Sequence, residues 1–265
     1  MFGLGGHTFP QTKEQLIRAI EQGLSEVFRF PARGNIVSAE GDWPNLDLLR
    51  VDVTGAVANV DQPPPDFRWV GDRLPAFAAG RLEVSGRPLR LGPAALTAEL
   101  LADEARFEYD RDKQGRPLLI LAAAHLGTAS ARMAHADLDA LAREAAGAAA
   151  EPHGIAVSSF DLDLAQLGPR SIGAQVHVKA RKMFLSAGVQ VEGRVDLDDA
   201  MSARLSNLHC RGDGVLGEIA CVAIRTHLHR LEGRSYPLSA LGDLRLHDVR
   251  VSVQDPVRLD AAFGD

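Results

Sequence analysis

The chain of 265 residues has few cysteines and few aromatic residues, and both shortages limit what its interior can be. Only 5% of the residues are aromatic, so Val, Leu, Ala and Ile must fill the core. Cys210 and Cys221 lack the CxxC spacing of zinc and redox sites. Two ordinary buried thiols are the favoured interpretation, and a disulfide is the alternative.

Charge of one sign and long apolar runs are also missing. The formal charge is −6 and the charged residues are scattered, which excludes the basic surface of a nucleic-acid-binding protein. No apolar stretch reaches the 18 residues of a membrane span, and MFGLGGHTFPQTKEQ is not a secretory signal. As written, the sequence predicts a soluble protein, cytoplasmic or, if a signal was removed, in the cell envelope or periplasm.

Catalytic and metal-binding motifs are absent as well. No GxSxG elbow is present for serine hydrolysis, and His227 and His229 lack the spacing of four that a zinc pair on a helix requires. DRDKQG (110–115) begins like a calcium loop, but Leu121 stands where Glu is needed, so a hairpin turn is expected. We therefore expect no enzyme, no cofactor and no metal.

Three helices are indicated by apolar residues at helical spacing. The first begins at the capping box Thr12–Gln15 and ends by Pro31. The second runs from Asp137, a good N-cap residue, to Pro152. The third runs from Gly214 to Leu231, and its apolar residues cover more than half of its circumference. This predicts that the third helix is covered from two sides, by a sheet and by a second layer.

The rest of the chain has the alternation of strands, as GVQVEGRVDLDD (188–199) shows. The predicted strands are 35–42, 45–60, 80–91, 94–110, 116–133, 154–165, 171–184, 188–198, 202–211, 243–254 and 257–263. Their length indicates an elongated, strongly twisted sheet, and PPPDF (63–67) is expected to be an exposed loop. The pattern L-x-L-x-x-V-x-V in 46–53 and 244–251, repeated less closely in 89–96, indicates β-bulges and one continuous body.

Several segments together carry a resemblance to a known family. They are GRLEVSGRPLRLGPAALTAEL, ARFEYDRDKQGRPLLIL, ASARMAHADLDALAREA, VQVEGRVDLDD and LGDLRLHDVRVSVQDPVRLDAAFG. This combination resembles the LmeA-like phospholipid-binding family, a bacterial branch of the tubular lipid-binding (TULIP-like) superfamily. The resemblance implies an α+β fold in which a long, highly twisted antiparallel sheet wraps around two or three amphipathic helices. It also implies an apolar tunnel for lipid chains.

The expected organisation is a single elongated lipid-binding domain over 1–265, with 1–11 as a flexible N-terminus. The expected function is non-enzymatic binding or transfer of phospholipid or another acyl-chain lipid, with peripheral membrane contact possible. Because acyl chains form no hydrogen bonds, aliphatic walls are enough to bind them. The predicted lipid-binding residues are Leu16, Ile20, Leu24, Val27, Val176, Val178, Val189, Val191, Leu216, Ile219 and Ala223.

Two other functions stay open. A structural or interaction module could use the same scaffold with its interior filled by side chains, and the Ala-rich second helix favours such close packing. A lipid hydrolase is the third hypothesis, since catalytic residues far apart in the sequence would escape motif searches. Plain core packing explains each predicted lipid-binding residue equally well, because tunnel walls and core walls have the same composition.

Overall fold

The structure is a computed structural model that describes residues 2–31, 34–59, 72–182, 185–198, 201–237 and 244–265. It is α+β and mostly sheet, with a twisted open sheet and few helices, as the sequence predicts. The helices are α1 (Lys13–Val27), α2 (His135–Ala150) and α3 (Gly214–Leu231). The predicted loop 63–67 lies outside the described residues.

The predicted strands are present, and two of the long segments are divided. The strands are β1 (Phe2–Gly3), β2 (Phe28–Arg29), β3 (Val37–Asp42), β4 (Asn45–Asp52), β5 (Val57–Ala58), β6 (Leu74–Leu91), β7 (Ala94–Arg111), β8 (Pro117–Ala123), β9 (Leu126–Met133), β10 (Ala156–Gly168), β11 (Ser171–Lys182), β12 (Leu185–Leu197), β13 (Ser202–Asp213), β14 (Ser235–Pro237), β15 (Leu246–Ser252) and β16 (Val257–Phe263). Segment 45–60 divides at a turn where Gly55 has a φ of 77°, which favours glycine. Segment 116–133 divides between β8 and β9.

The chain forms two compact units. Unit 1 contains Met1–Arg132, Ser239–Val249 and Leu259–Asp265, and unit 2 contains Met133–Leu238 and Arg250–Arg258. A single elongated domain over 1–265 stays a prediction.

Unit 1 contains most of a sheet in which the described strands follow the order β15-β16-β9-β7-β6-β4-β3, with β1, β2, β5 and β8 off this path. The sheet is not antiparallel throughout, which corrects the sequence prediction, because β4 and β5 run parallel to β6. A parallel pair needs a long connection between its strands, and the chain between Ala58 and Leu74 is long enough for one. The hairpin of β6 and β7 has 18 residues in each strand.

The repeated L-x-L-x-x-V-x-V pattern has two different structural outcomes. In β4 the register with β3 shifts between Leu46 and Leu48, so a bulge is present with Asp47 as its extra residue. The pattern places the extra residue between Leu48 and Val51 instead, and there the register with β3 is regular. In 89–96 the same pattern contains the turn between β6 and β7, where Gly92 has a φ of 55°. The pattern therefore indicates a change of direction rather than one specific geometry.

Helix α1 fills the interior of unit 1. The Thr12 hydroxyl accepts a hydrogen bond from the Gln15 backbone N–H (3.3 Å), which satisfies one of the free donors at the helix start. Leu16, Ile20 and Leu24 pack into a core that includes the sheet residues Leu46, Leu49 and Leu82. The helix ends at Val27, before the predicted stop at Pro31, because Phe28 and Arg29 pair with β5 as a short strand.

The N-terminal segment contacts the rest of unit 1, and the expected flexibility of 1–11 stays a prediction. Phe2 and Gly3 pair with β8, and the Leu4 backbone N–H donates to the Pro117 carbonyl (2.9 Å). Leu4 is buried. A Cβ on Gly23 of α1 would collide with the Gly3 carbonyl oxygen, so glycine at this helix position lets the segment lie against the helix.

Unit 2 contains a second sheet, in which β10, β11, β12, β13 and β14 follow one another as antiparallel neighbours. Helix α2 contacts β10, and α3 contacts β12 and β13. A disulfide between Cys210 of β13 and Cys221 of α3 joins the helix to the sheet. Of the two interpretations of the cysteines, the structure therefore shows the disulfide.

The sheet of unit 2 has one apolar and one polar face. The register places Leu162, Val176, Val191 and Cys210 in one row across four strands. Residues directly opposite each other in a sheet point to the same side, so this row lies on the face that bears α3. The next residues along the strands, such as His177 and Gln190, point to the other face. The alternation in GVQVEGRVDLDD is therefore the alternation between these faces.

Candidate functional site

Two apolar surfaces of the structure are candidates for binding a hydrocarbon ligand, one in each unit. We call the first the trough; it lies in unit 1 and has a volume of about 230 Å³. We call the second the valine patch; it lies on the apolar face of the unit 2 sheet and consists of Val176, Val178, Val189 and Val191.

The strand register brings the four predicted valines together. Val176 lies opposite Val191, and Val178 lies opposite Val189, in the antiparallel pair of β11 and β12. All four side chains are half-buried. In the neighbouring edge strand β10, Phe160 and Leu162 continue the same rows, and both are buried. The valine patch is thus the less covered part of a continuous apolar face.

Helix α2 covers the edge of this sheet and binds it with side chains. The Asp139 carboxylate accepts a hydrogen bond from the Leu162 backbone N–H (3.2 Å). Arg143 donates to the Phe160 carbonyl (2.9 Å) and forms an ion pair with Asp139 (2.9 Å). These bonds satisfy backbone groups that an edge strand leaves open. The second helix therefore closes one side of the apolar face.

Helix α3 packs closely on the other side, through small residues. A Cβ on Gly217 would meet the Gly188 carbonyl oxygen, and a Cβ on Gly212 would meet the backbone of Gly217. Cys221, one helical turn beyond Gly217, is fully buried. The side of α3 that bears Gly217 and Cys221 therefore faces the sheet.

The predicted residues of α3 do not all lie where the sequence placed them. Ile219 has 62% of its surface exposed and Leu216 has 39%, so neither is covered by a second layer within the structure. Ala223 belongs to α3, but the structure does not describe its side chain. The expected double covering of this helix is therefore not observed at Leu216 and Ile219.

The predicted residues of α1 lie in the core of unit 1. Leu16, Ile20 and Leu24 have relative exposures of 0%, 3% and 6% and contact the apolar residues of the sheet. Val27, in the last turn, is half-buried. These contacts are those of a packed core, which was the alternative interpretation of the same residues, and a role in lipid binding stays a prediction.

The trough continues the inner face of the unit 1 sheet beyond the part that α1 covers. Under α1, Leu49, Leu82 and Ala102 lie side by side and are buried. Two residues further along β6, Val84 lies opposite Leu100 of β7, and both are only half-buried. The residues that line the trough are Val53, Val84, Ser85, Gly86, Ala98, Glu99, Leu100, Ala129, Ser130, Ala131, Leu259 and Ala261.

Small residues give the trough its depth. Gly86 lies opposite Ala98, and the neighbouring pair on the same face is Val84 and Leu100. The side chains of Val84 and Leu100 are larger and extend further from the sheet than those of Gly86 and Ala98. Ser85 and Glu99 are also opposite each other, but strand alternation directs their side chains to the opposite face. The floor of the trough is therefore aliphatic. The sequence analysis missed this site, although the Ala and Gly residues at alternate strand positions were a visible signal.

The polar side of the same strands is held by hydrogen bonds and ion pairs. The Asp52 carboxylate accepts hydrogen bonds from the Thr54 backbone N–H (2.9 Å) and the Ser85 hydroxyl (3.3 Å). Partial burial opposes ionisation of Asp52, but these hydrogen bonds and the charge of Arg87 hold its pKa below the usual value. Arg87 also pairs with Glu99 (2.7 Å). This network fixes the strands that carry the trough.

Lowered pKa values are the common feature of the carboxyl groups with a resolved shift. The Arg50 guanidinium lowers the pKa of Glu83, and the Arg194 guanidinium lowers the pKa of Asp196. The pKa values of Glu14 and Asp112 are also lowered. A general acid at neutral pH requires the opposite shift, so none of these five groups has the pKa of a general acid.

The described residues contain no group of three or more His, Cys, Asp or Glu side chains that could hold a metal ion. In the same part of the chain, no helix has the length and apolar character needed to cross a membrane. The protein has no match among protein-family models, curated proteins or solved structures.

Proposed function

We propose that the protein binds the acyl chain of a phospholipid or a similar lipid without changing it chemically. The observation that carries this proposal is the trough, an open pocket with an aliphatic floor on the inner face of a sheet whose other part is filled by α1. An acyl chain needs shape and apolar contact but no hydrogen-bond partner, and the trough floor offers both. The resemblance to the LmeA-like family and a TULIP-like fold belong to the same proposal.

The size of the trough suits a segment of one chain. Its volume of about 230 Å³ holds roughly eight groups of 30 Å³ each, the volume of a water molecule and close to that of a methylene. At about 0.8 kcal/mol for each methylene removed from water, eight of them contribute about 6 kcal/mol. Since a bilayer is equally apolar, transfer between membrane and trough costs little, and this makes loading reversible.

The valine patch is the second surface that the proposal uses. Its four half-buried valines offer aliphatic contacts of the same kind.

The packing of α1 favours the alternative function. Leu16, Ile20 and Leu24 are as buried as in any solid core, so this part of unit 1 suits a structural or interaction module. The two functions differ in whether the trough takes up a ligand.

Binding of cis-parinaric acid, a fluorescent fatty acid, tests the proposal. Ala98→Phe places a ring in the trough, and we expect it to weaken binding at least about tenfold, as expected for the loss of two or more methylene contacts. Ala95→Phe is the matched control, because Ala95 lies on the same strand and points to the opposite face. Equal binding by both variants would refute the trough as the site.

Mass spectrometry of lipids extracted from the freshly purified protein separates the three functions. Intact phospholipid in the extract supports the carrier. No lipid, together with no binding of cis-parinaric acid, supports the structural module. Free fatty acid that accumulates with time in the presence of phospholipid would instead indicate a hydrolase.

A further inference from the structure

Helix α3 has two apolar stripes, and only one of them packs on the sheet. Gly217, Cys221, Ile224 and Leu228 are spaced as one helix face, and this face includes the disulfide to β13. Val215, Ile219 and Val222 follow the same spacing on the other side, with relative exposures of 78%, 62% and 62%. We call these three residues the outer stripe. Large aliphatic side chains this exposed and this close together mark an interaction surface.

The polar residues beyond the outer stripe are cationic or neutral. Continuing the same face toward the end of α3 gives Thr226, His229 and Arg230, all exposed. Glu218, the acidic residue within the helix, is turned to one side, where it pairs with Arg225 (3.6 Å). Glu232, just after the helix, accepts hydrogen bonds from the backbone of Asn207 and Leu208 in β13. The outward face thus combines an apolar half with a polar half that contains Arg230 and no carboxylate among its described residues.

The local charge differs in sign from that of the whole protein. Helix α3 contains two Arg (225 and 230) and one carboxylate (218), a difference of +1, whereas the chain carries −6. Anionic headgroups attract such a segment, and the rest of the molecule is repelled. Tyr236, 44% exposed, lies opposite Ala203 on the sheet face that bears α3. Tyrosine is a side chain that favours the membrane–water interface.

We propose that the outer stripe of α3 docks the protein onto an anionic lipid bilayer, with Val215, Ile219 and Val222 inserted among the headgroups and Arg230 bound to lipid phosphates. The proposal rests on the function proposed above, because a carrier must meet the bilayer from which it takes its lipid. Amphipathic helices that lie in the interface combine aliphatic and basic residues in this way.

A protein partner fits the outer stripe less well. A stable protein interface buries about 800 Å² on each partner and involves 20 to 30 residues, and the outer stripe is one helix face. A bilayer needs no matching shape, so a few exposed aliphatic side chains are enough. The outward face of α3, which consists of the outer stripe with Thr226, His229 and Arg230, contains no carboxylate among its described residues. A carboxylate there would be repelled by an anionic surface.

Flotation of the full chain with two kinds of vesicles tests this docking. One kind contains phosphatidylcholine alone and the other contains phosphatidylcholine with phosphatidylglycerol. We expect the wild-type protein to float with the second kind and more weakly with the first. The variant Ile219→Gln/Val222→Gln should bind at least about tenfold more weakly to both, because two aliphatic side chains no longer enter the interface. Arg230→Gln should bind about fivefold more weakly to the anionic vesicles only.

The control is Leu167→Gln, which changes an aliphatic residue of β10 that is 53% exposed and lies outside the stripe. It should float like the wild type. Equal flotation of the Ile219/Val222 variant and the wild type would overturn the proposal, and so would no flotation of the wild type with either vesicle. A wild-type dimer that the Ile219/Val222 substitutions convert to a monomer would also overturn it and assign the stripe to a second copy.

A separate measurement distinguishes failure of the docking from failure of lipid binding. The Ile219→Gln/Val222→Gln variant should bind free cis-parinaric acid as the wild type does, because it leaves the trough intact. The Ala98→Phe variant should still float with anionic vesicles. Loss of both activities in either variant would show that the two surfaces are not independent and would refute the separate docking site.

Discussion

Unit 1 and unit 2 each combine helix with sheet, and they differ in how completely their apolar residues are buried. In unit 1, α1 packs into the inner face of the sheet, and Leu16 and Leu49 are almost inaccessible. In unit 2, the disulfide holds α3 on the sheet, but the valine patch is half-buried and Ile219 is exposed. A periodic apolar pattern in the sequence therefore predicts which side of a helix or strand is apolar, but it does not predict which other element buries that side.

The difference has a physical origin in the residues at each helix–sheet contact. Helix α1 presents leucine and isoleucine to the sheet, which fill the space between them. Helix α3 presents Gly217 and Cys221, which bring its backbone close to β13, while Val215, Ile219 and Val222 lie on the outside. Small residues at the contact thus determine which side of α3 remains exposed.

Truncating one leucine on α1 and one on α3 is the strongest test of the difference in burial between the two units. Leu16→Ala should lower the free energy of unfolding by about 4 kcal/mol, because it opens a cavity in a closed core. Leu216→Ala should lower it by less than about 1 kcal/mol, since this side chain is already partly in water. Denaturant unfolding of both variants, monitored by circular dichroism, measures the two changes. Equal losses would show that α3 is covered as completely as α1.

The disulfide is the second point at which the units differ. Cys210→Ala/Cys221→Ala should destabilise unit 2 by about 3 kcal/mol, because the disulfide closes a loop between cysteines 11 residues apart and so restricts the unfolded chain. Hydrogen exchange followed by mass spectrometry should show faster exchange in α3 and β13, with β6 and β7 unchanged. Uniformly faster exchange in both units would instead indicate that they unfold together.

Asp112 tests the stability of unit 1 at a buried polar position in the turn between β7 and β8. Its Oδ1 accepts hydrogen bonds from the backbone N–H groups of Gln114 and Arg116, and its Oδ2 accepts one from the Arg116 side chain, each at 2.8 Å. Asp112→Ala should cost about 2 kcal/mol, because these charge-assisted bonds hold the turn between β7 and β8.

The pKa of Asp112 sets the pH dependence of this effect. Burial opposes the charge, but the bonds from Arg116 and Gln114 lower the pKa below its ordinary value of 3.8. A carboxyl with a lowered pKa in the folded state stabilises the protein above the unfolded pKa and loses this contribution as the pH falls through the folded pKa. The difference between wild type and Asp112→Ala should therefore be constant at neutral pH and shrink below about pH 4. Asp112→Asn is the control, and a pH-independent difference for Asp112→Ala would contradict the assignment.

Much of the fold could be predicted because it depends on local patterns. The capping box at Thr12, the alternation in 188–199 and the hairpin turn at 110–115 involve residues that are close in the sequence. The pairing of the N-terminal segment with β8 and the parallel pairing of β4 with β6 could not be predicted in this way, because their partners are distant in the sequence. The trough was missed for the same reason, since its lining comes from five separate segments.

By itself, the sequence determined the three helices and the location of the long strands, but not β1, β2 and β14, because the long elements depend on the spacing of side chains along one segment. Only the tertiary structure decided which apolar faces are closed. Leu16 and Ile219 are both aliphatic residues at helical spacing, yet one is sealed in a core and the other faces outward. The deciding factor is the partner surface that reaches each side chain, and that partner lies far away in the sequence.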